Sequence, residues 1–385
     1  MPTLYIHIPY CIKKCLYCDF CSGPADSYKN MYADLVSREI ELTAAKMRKK
    51  GEEITPAATV FFGGGTPTSL PARDLIQILC ALQAQFSFAK DAEISFECNP
   101  ATASRADLAE LRRAGFNRIS IGLQSADDAL LKRIGRAHSY ADFLQTLAWA
   151  REAGFININV DVMHGLPEQT QELYLDTVRK VCDLEVQHVS AYALILEKDT
   201  PLYHAVEIEQ TETLPDADAV ADMQDAGMAL LAEHGYARYE VSNFAKPGYV
   251  CRHNLVYWNN EPYLGFGVAA HSSMPGKKGV WLRRANADST RAYAQKIERN
   301  ALPTAEIIKL YASEQMFESV MLGLRKVEGI HRVGFFARYG IPVEQAFPKA
   351  VTEVDVCGWW EEDADYLRLT PKGLDLLNTV LALFR

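Results

Sequence analysis

Six short runs rich in β-branched and aromatic residues, each followed by a stretch of helical periodicity, predict an α/β fold over the first half of the chain. The expected architecture is a partial (β/α)6 barrel of the TIM type, followed by a small C-terminal α+β domain of winged-helix-like character. Crossovers between parallel strands need a helix and are right-handed, so the alternation implies a parallel sheet. A second observation favours a barrel over an open doubly wound sheet. Residues suited to chemistry stand at or just beyond the C-terminal halves of five successive strands. Barrels build their sites at that face from several strands, whereas an open sheet concentrates ligands at one switch point. The third observation is the end of the pattern near residue 300, beyond which small helices and one hairpin remain.

Taken in order, residues 4–8 form a short β-rich run ending at Pro9, and in the helical stretch that follows Tyr28, Tyr32, Leu35 and Val36 share a face. Residues 58–62 read as a buried strand, stopped by Gly63-Gly64-Gly65-Thr66-Pro67, with a helix around 74–86. The unit recurs as strand 93–98 with helix 104–114, strand 118–122 with helices to about 153, and strand 156–163 with a helix around 171–184. Strand 189–194 is the sixth. Residues 201–216 are a polar connection, and Val220, Met223, Gly227 and Leu230 lie on one face of the next helix. Phe317, Val320, Met321 and Leu324 form a further apolar stripe, residues 359–370 a hairpin, and a terminal helix starts at Pro371. The expected division is a core over 1–235, an extension over 236–300 and a small C-terminal domain over 301–385.

Composition bounds the function. A chain of 385 residues, 49% of them hydrophobic, can bury a large core. No apolar run approaches the length of a membrane span, and no basic segment leads a long apolar run at the start. A cytoplasmic location is therefore expected, with peripheral membrane contact left open. In that reducing compartment the nine cysteines do not suggest disulfides, and those that cluster read as metal ligands. A net charge of −9 weighs against a nucleic-acid partner.

The cluster is Cys11-x3-Cys15-x2-Cys18, in a loop directly after the first strand. Fe–S clusters are usually held by four thiolates, so a set of three leaves one iron open to a substrate. With Cys21 added, a structural zinc site is the alternative, and Cys15-x2-Cys18 alone is also the spacing of a redox pair. Gly64, Gly65 and Thr66 let a ligand approach the backbone closely, or form an ordinary tight turn. Glu97 suits the amino group of a bound amino acid, or a salt bridge. Gln124 suits a ribose or carboxylate, or a loop backbone, and Arg136 a ligand carboxylate, or solvent. Asp161, inside an apolar run, needs a partner that a ribose diol would supply.

On these motifs the chain resembles the radical SAM group that contains the oxygen-independent coproporphyrinogen III oxidases and their heme-chaperone relatives. The matching stretches are residues 5–18, 63–67, 118–125, 161–170 and 239–248. The resemblance implies a [4Fe-4S] cluster on Cys11, Cys15 and Cys18, with Tyr5 near bound S-adenosylmethionine. It implies contacts to that cofactor from Gly64, Gly65, Thr66, Glu97, Gln124, Arg136 and Asp161. Two departures from the oxidases favour the chaperone branch. Cys18-Asp19-Phe20 replaces their Cys-x-Cys, and only four residues precede Tyr5 where the oxidases carry an extension. Tyr239-Glu-Val-Ser-Asn-Phe-Ala-Lys-Pro-Gly248 and His253-Asn-Leu-Val-Tyr-Trp258 resemble the chaperones' own signatures, lying in the extension. The implied function is binding of heme as cargo and its delivery to acceptor hemoproteins, with an electron donor such as flavodoxin or ferredoxin. Oxidation of coproporphyrinogen III or another tetrapyrrole is the alternative, and no catalytic side chain is assigned. Histidine is a common axial ligand of heme iron, which makes His253 and His271 candidates, against the alternative of packed, hydrogen-bonded histidines.

Overall fold

The computed structural model describes residues 3–51 and 55–385. Six parallel strands form its centre: β1 (Thr3–Ile8), β2 (Ala57–Gly64), β3 (Phe88–Cys98), β4 (Arg118–Gln124), β5 (Ile158–His164) and β6 (His188–Ala193). They lie side by side in chain order. The crossovers are α1 (Tyr32–Lys49), α2 (Ala72–Gln85), α3 (Arg105–Ala114), α4 (Asp128–Arg133) with α5 (Tyr140–Glu152), and α6 (Gln171–Asp183). Ser104 with Asp107 and Ser139 with Asp142 close capping boxes at α3 and α5, each such cap being worth about 1 kcal/mol. The sheet is the expected partial barrel and does not close. Beyond β1 it continues through β9 (Tyr263–Phe266), β10 (His271–Pro275), β11 (Trp281–Asn286) and β12 (Thr304–Leu310), and beyond β6 through β8 (Asn243–Ala245) and β7 (Ala237–Arg238).

Period-two alternation decides what each face carries. Leu4, Ile6 and Ile8, Val60 and Phe62, Ile119, Ile121 and Leu123, and Val160 and Val162 are buried on the outer face with helix residues such as Val36, Ile40, Leu75 and Ile78. Fully burying such a side chain stabilises by roughly 1.5–3 kcal/mol, so this layer is the main source of stability. The alternate residues turn inward and are largely polar: Thr3, Tyr5 and His7, Thr59, Glu93, Ser95 and Glu97, Arg118 and Ser120, Asn159 and Asp161, His188 and Ser190. Ordinary (β/α) barrels fill that space with bulky branched residues. Here a short helix, Arg252–Trp258, enters it instead. Glu93 accepts from the backbone N–H groups of Arg252 (3.0 Å) and His253 (3.1 Å) at the helix start, where a carboxylate is favoured.

The strands of residues 263–310 are where the sequence reading falls short, since it ended the sheet pattern near residue 300 and assigned no strands between 236 and 300. Trp281–Asn286 reads Trp-Leu-Arg-Arg-Ala-Asn and β10 ends in Pro275, so neither shows clean alternation. Tertiary contacts hold them. Glu39 of α1, fully buried and with its pKa raised by that burial, accepts from Gly267 N (2.8 Å), Asn286 Nδ2 (2.7 Å) and Tyr293 Oη (2.7 Å). The hairpin arrives as read, with β13 (Ile330–His331), β14 (Trp360–Glu362) and β15 (Tyr366–Leu369) forming a separate antiparallel sheet in the order β13-β15-β14. Val320, Phe335, Val354, Leu367 and Val380 give this C-terminal unit its own apolar core.

Replacing Glu39 by Ala leaves Gly267 N–H and the Tyr293 hydroxyl unpaired, at about 1–3 kcal/mol each, while Asn286 Nδ2 keeps Gly267 O. The expected outcome is a loss of at least about 2 kcal/mol in urea unfolding, with amide protection lost first in β9 to β11. Unchanged protection there would remove Glu39 as the pin between α1 and the added strands.

Candidate functional site

The inward polar residues open at the C-terminal ends of β1 to β6, and most of the sequence candidates gather at that mouth. The loop after β1 carries Cys11, Cys15 and Cys18 as free thiols, each partly exposed. Two other motifs touch it. Thr66 Oγ1 lies 3.5 Å from Cys11 Sγ, and Arg136 Nη1 lies 3.5 Å from Cys15 Sγ. Arg136 is fixed by Asn99 Oδ1 (2.8 Å) and Gly122 O (2.5 Å), and Asn99 Nδ2 also donates to Thr66 Oγ1 (2.7 Å). Cys21 is exposed and its Sγ lies 3.3 Å from Asp288 O.

The glycine turn is where close approach is enforced. Gly64 has φ +112°, and a Cβ there would stand 2.5 Å from the His7 ring. At Gly65 a Cβ would stand 2.8 Å from Tyr10 O. Both positions are closed to other residues, and the turn binds to the cysteine loop through Gly65 N to Ile8 O and Thr66 N to Tyr10 O, both 2.8 Å.

Two carboxyls stand at the mouth. Glu97 accepts from Gly64 N (3.1 Å), yet burial, with the nearby Asp161 charge, pushes its pKa up to about 8. Asp161 receives Asn159 Nδ2 (2.7 Å) and Ser120 Oγ (3.2 Å), and burial still raises it. Among the described residues, neither has a bonded cation. Gln124, ending β4 at φ +72°, and Arg136 flank Gly122. Tyr5 Oη meets His7 Nδ1 (3.1 Å), while His7 Nε2 meets the carbonyl of Cys21 (2.9 Å), linking the first strand to the loop.

The two heme candidates are separated. His253 is 1% exposed, deep beneath Tyr5. Its Nδ1 meets Thr59 Oγ1 (2.9 Å), its Nε2 meets Tyr257 Oη (3.0 Å), and its ring stacks on Phe61 at 4.9 Å. Burial, helped by Arg118, pushes its pKa down to about 3. Both nitrogens are thus engaged within the fold. His271 is exposed at the start of β10, beside His7.

Sequence reasoning missed His7, Asn99 and the chain from Asp161 through Asn159 to His188 and Tyr239. Asn159 Oδ1 meets His188 Nδ1 (2.5 Å), and His188 Nε2 meets Tyr239 Oη (2.8 Å). A signal was present: His7 lies two residues from Tyr5, and Asn159 two from Asp161, on the same strand face.

Among the described residues no three His, Cys, Asp or Glu side chains meet closely enough for a single metal ion. A cluster of several irons spaces its thiolates more widely, and three free thiols in one loop at a polar mouth fit that donor set.

Comparison with known proteins places the chain. The model of the radical SAM superfamily matches residues 5–181 and that of the HemN C-terminal domain residues 310–376. The heme chaperone HemW of Bacillus subtilis is 34% identical, with 100% of this chain and 99% of the relative covered. That of Escherichia coli is 35% identical, with 99% and 97% covered. The chain belongs to the HemW family of radical SAM proteins. A mouse relative, the mitochondrial radical S-adenosyl methionine domain-containing protein 1, is 34% identical over 98% of this chain and 86% of its own. The coproporphyrinogen III oxidase HemN of Escherichia coli has the same fold, with a TM-score of 0.83 at 24% identity, over 100% of this chain and 90% of that one. This HemW-family chain thus has the radical SAM fold, and no helix among its described residues is long and apolar enough to cross a membrane.

The raised carboxyl gives a pH test. A folded pKa of about 8 at Glu97 means that the folded chain holds this proton more tightly than the unfolded one, whose value is near 4.5. Between those values stability falls as pH rises. In the ligand-free protein, urea unfolding should show Glu97→Gln flattening that fall. An identical slope in the variant would remove Glu97 as its source.

Proposed function

We propose that the chain is a heme chaperone that binds heme and delivers it to acceptor hemoproteins, carrying a [4Fe-4S] cluster and S-adenosylmethionine at the mouth of the partial barrel. The observation that carries the reading is the meeting of three motifs there. Thr66 of the glycine turn and Arg136 after β4 both touch the thiols that follow β1. The full-length likeness to proteins named heme chaperones supports the cargo. The likeness to the oxidase HemN carries the fold alone.

Cys11, Cys15 and Cys18 are the proposed cluster ligands. When bound, the cluster supplies a low-potential electron and one open iron. The remaining roles belong to the chain. Glu97, buried without a bonded cation, would hold the amino group of S-adenosylmethionine, which offsets the burial of its charge. Arg136, aimed at Cys15, would face the carboxylate, while Gln124 and Asp161 would hold the ribose and Tyr5 close the pocket. Gly64, Gly65 and Thr66 would let the methionine moiety lie on the backbone. An electron donor such as flavodoxin or ferredoxin is the proposed partner at this face, and a cytoplasmic setting suits it. The proposed division is a core over 1–235, an extension over 236–300 and a C-terminal domain over 301–385.

For heme, His271 is the better candidate of the two histidines, because it is exposed beside the mouth while both nitrogens of His253 are engaged. His253 fits a role in seating the helix that floors the concave face.

Anaerobic reconstitution should give about four irons per chain. Cys11→Ala, Cys15→Ala and Cys18→Ala should each lose iron and sulfide, and Cys21→Ala should keep them. Loss in Cys21→Ala as well would make the donor set four. In heme titrations, His271→Ala should shift the Soret band and weaken affinity while leaving the iron–sulfur spectrum intact. A titration unchanged from wild type would eliminate His271 as the ligand.

A further inference from the structure

A second cleft, of about 290 Å³, lies outside the barrel, between the outer face of β6 and the C-terminal unit. Ala191 and Ala193 line it, whereas the alternate residue Ser190 serves the concave face through Asn159. Residues after Tyr239 form part of its wall, so the 239–248 signature faces both ways. Tyr239 reaches His188 inside the sheet, and Val241, Ser242 and Phe244 line the cleft.

His164, the last residue of β5, stands in this cleft. Its ring is 2% exposed, and neither nitrogen makes a hydrogen bond of acceptable geometry within the described chain, although the Gln224 side chain stands beside it. Burial pushes its pKa down to about 4, so at neutral pH the ring is uncharged. A neutral imidazole offers one donor and one acceptor, and leaving both unmatched in a buried place is unfavourable. Nothing in the site already described uses this histidine.

The charges around the cleft point to an anion. Arg238 directs its N–H groups at the carbonyls of Glu240 and Val241 and at Met228 Sδ, and its nearest carboxylate, Asp375, is 3.8 Å away. Arg325 leans over the Trp258 ring at 5.7 Å, and no ion pair engages it among the described residues. Glu240 lies behind the wall, fully buried; desolvation raises its pKa, while Asn243, the Ser242 N–H and the two arginines act the other way. Asp375 and Asp225 stand near Arg238 and offset it, so Arg325, which no ion pair engages among the described residues, supplies the cation for an anion. Its volume corresponds to about ten waters at ~30 Å³ each, too little for a porphyrin and suited to a small molecule.

We propose that this cleft is a separate binding site for a small carboxylic acid with a second hydrogen-bonding group. The carboxylate would lie between Arg238 and Arg325, and the hydroxyl or amino group would match the open positions of His164. Leu374, Asn378 and Thr379 of the C-terminal unit close the cleft over β6, so an occupant ties that unit to the sheet. Pockets at such seams are common ligand sites.

The test uses the full chain without iron, heme or S-adenosylmethionine, so its outcome is independent of the reading of the mouth. L-malate, citrate and L-glutamate are titrated singly by calorimetry, with the thermal transition followed in parallel. At least one should bind saturably at one per chain and raise the transition temperature. Arg325→Gln should weaken that probe by about tenfold or more. Thr379→Trp, at an exposed position that fills the cleft without touching its buried wall, should abolish binding and keep the unliganded transition. No saturable binding of any probe at millimolar concentration, or binding unchanged in both variants, overturns the proposal.

Discussion

The polar groups on the concave face of β1 to β6 have left bulk water, and the fold has to supply their partners. That constraint organises much of the molecule. Asp161 leans on Asn159 and Ser120, Asn159 on His188 and Ser190, and His188 on Tyr239, which itself accepts from Cys251 N at 3.3 Å. Glu93 meets the start of the helix at 252–258, and that helix carries His253 to Thr59. Arg118, 2% exposed, keeps its charge beside the Glu93 carboxylate against the cost of burial. A sheet with an apolar inner face would need none of these elements. It would also have no polar mouth.

The upper end of the same face is deliberately less complete. Glu97 and Asp161 sit where burial raises both, and neither has a bonded cation among the described residues. Groups left in that condition favour whatever brings positive charge or donors to the mouth. The backbone around them is rigid, because Gly64 is pressed against the His7 ring and Gly65 against the Tyr10 carbonyl. The thiol loop is therefore held on one side by the glycine turn and on the other by Arg136, and its sulfurs face a preformed polar surface.

The sheet's two free ends have different uses. On the β1 side, four further strands are pinned by the buried Glu39 carboxylate and bring His271 beside His7. On the β6 side, β8 and the residues before it separate the concave face from the outer cleft under the C-terminal unit. One short stretch, 238–244, thus contributes to two places, Tyr239 reaching His188 inside the sheet while Val241, Ser242 and Phe244 line the outer cleft.

The sequence by itself determined the alternation of strand and helix, the six core strands within a few residues, the C-terminal hairpin and the cysteine spacing. Local periodicity and turn chemistry encode these, and both act over a few residues. It also carried the family resemblance, through motifs that each sit at a strand end. It did not disclose β9 to β12, because Arg283, Arg284 and Pro275 break the pattern and their pairing depends on Glu39 more than two hundred residues away. Nor did it separate His253 from His271, since a histidine beside aromatics reads the same whether it is packed or free. Only the tertiary structure decided that Thr59 and Tyr257 occupy both nitrogens of His253, and that neither nitrogen of the buried His164 is so well matched within the described chain. Those are contacts between segments far apart in the chain, and no local pattern records them.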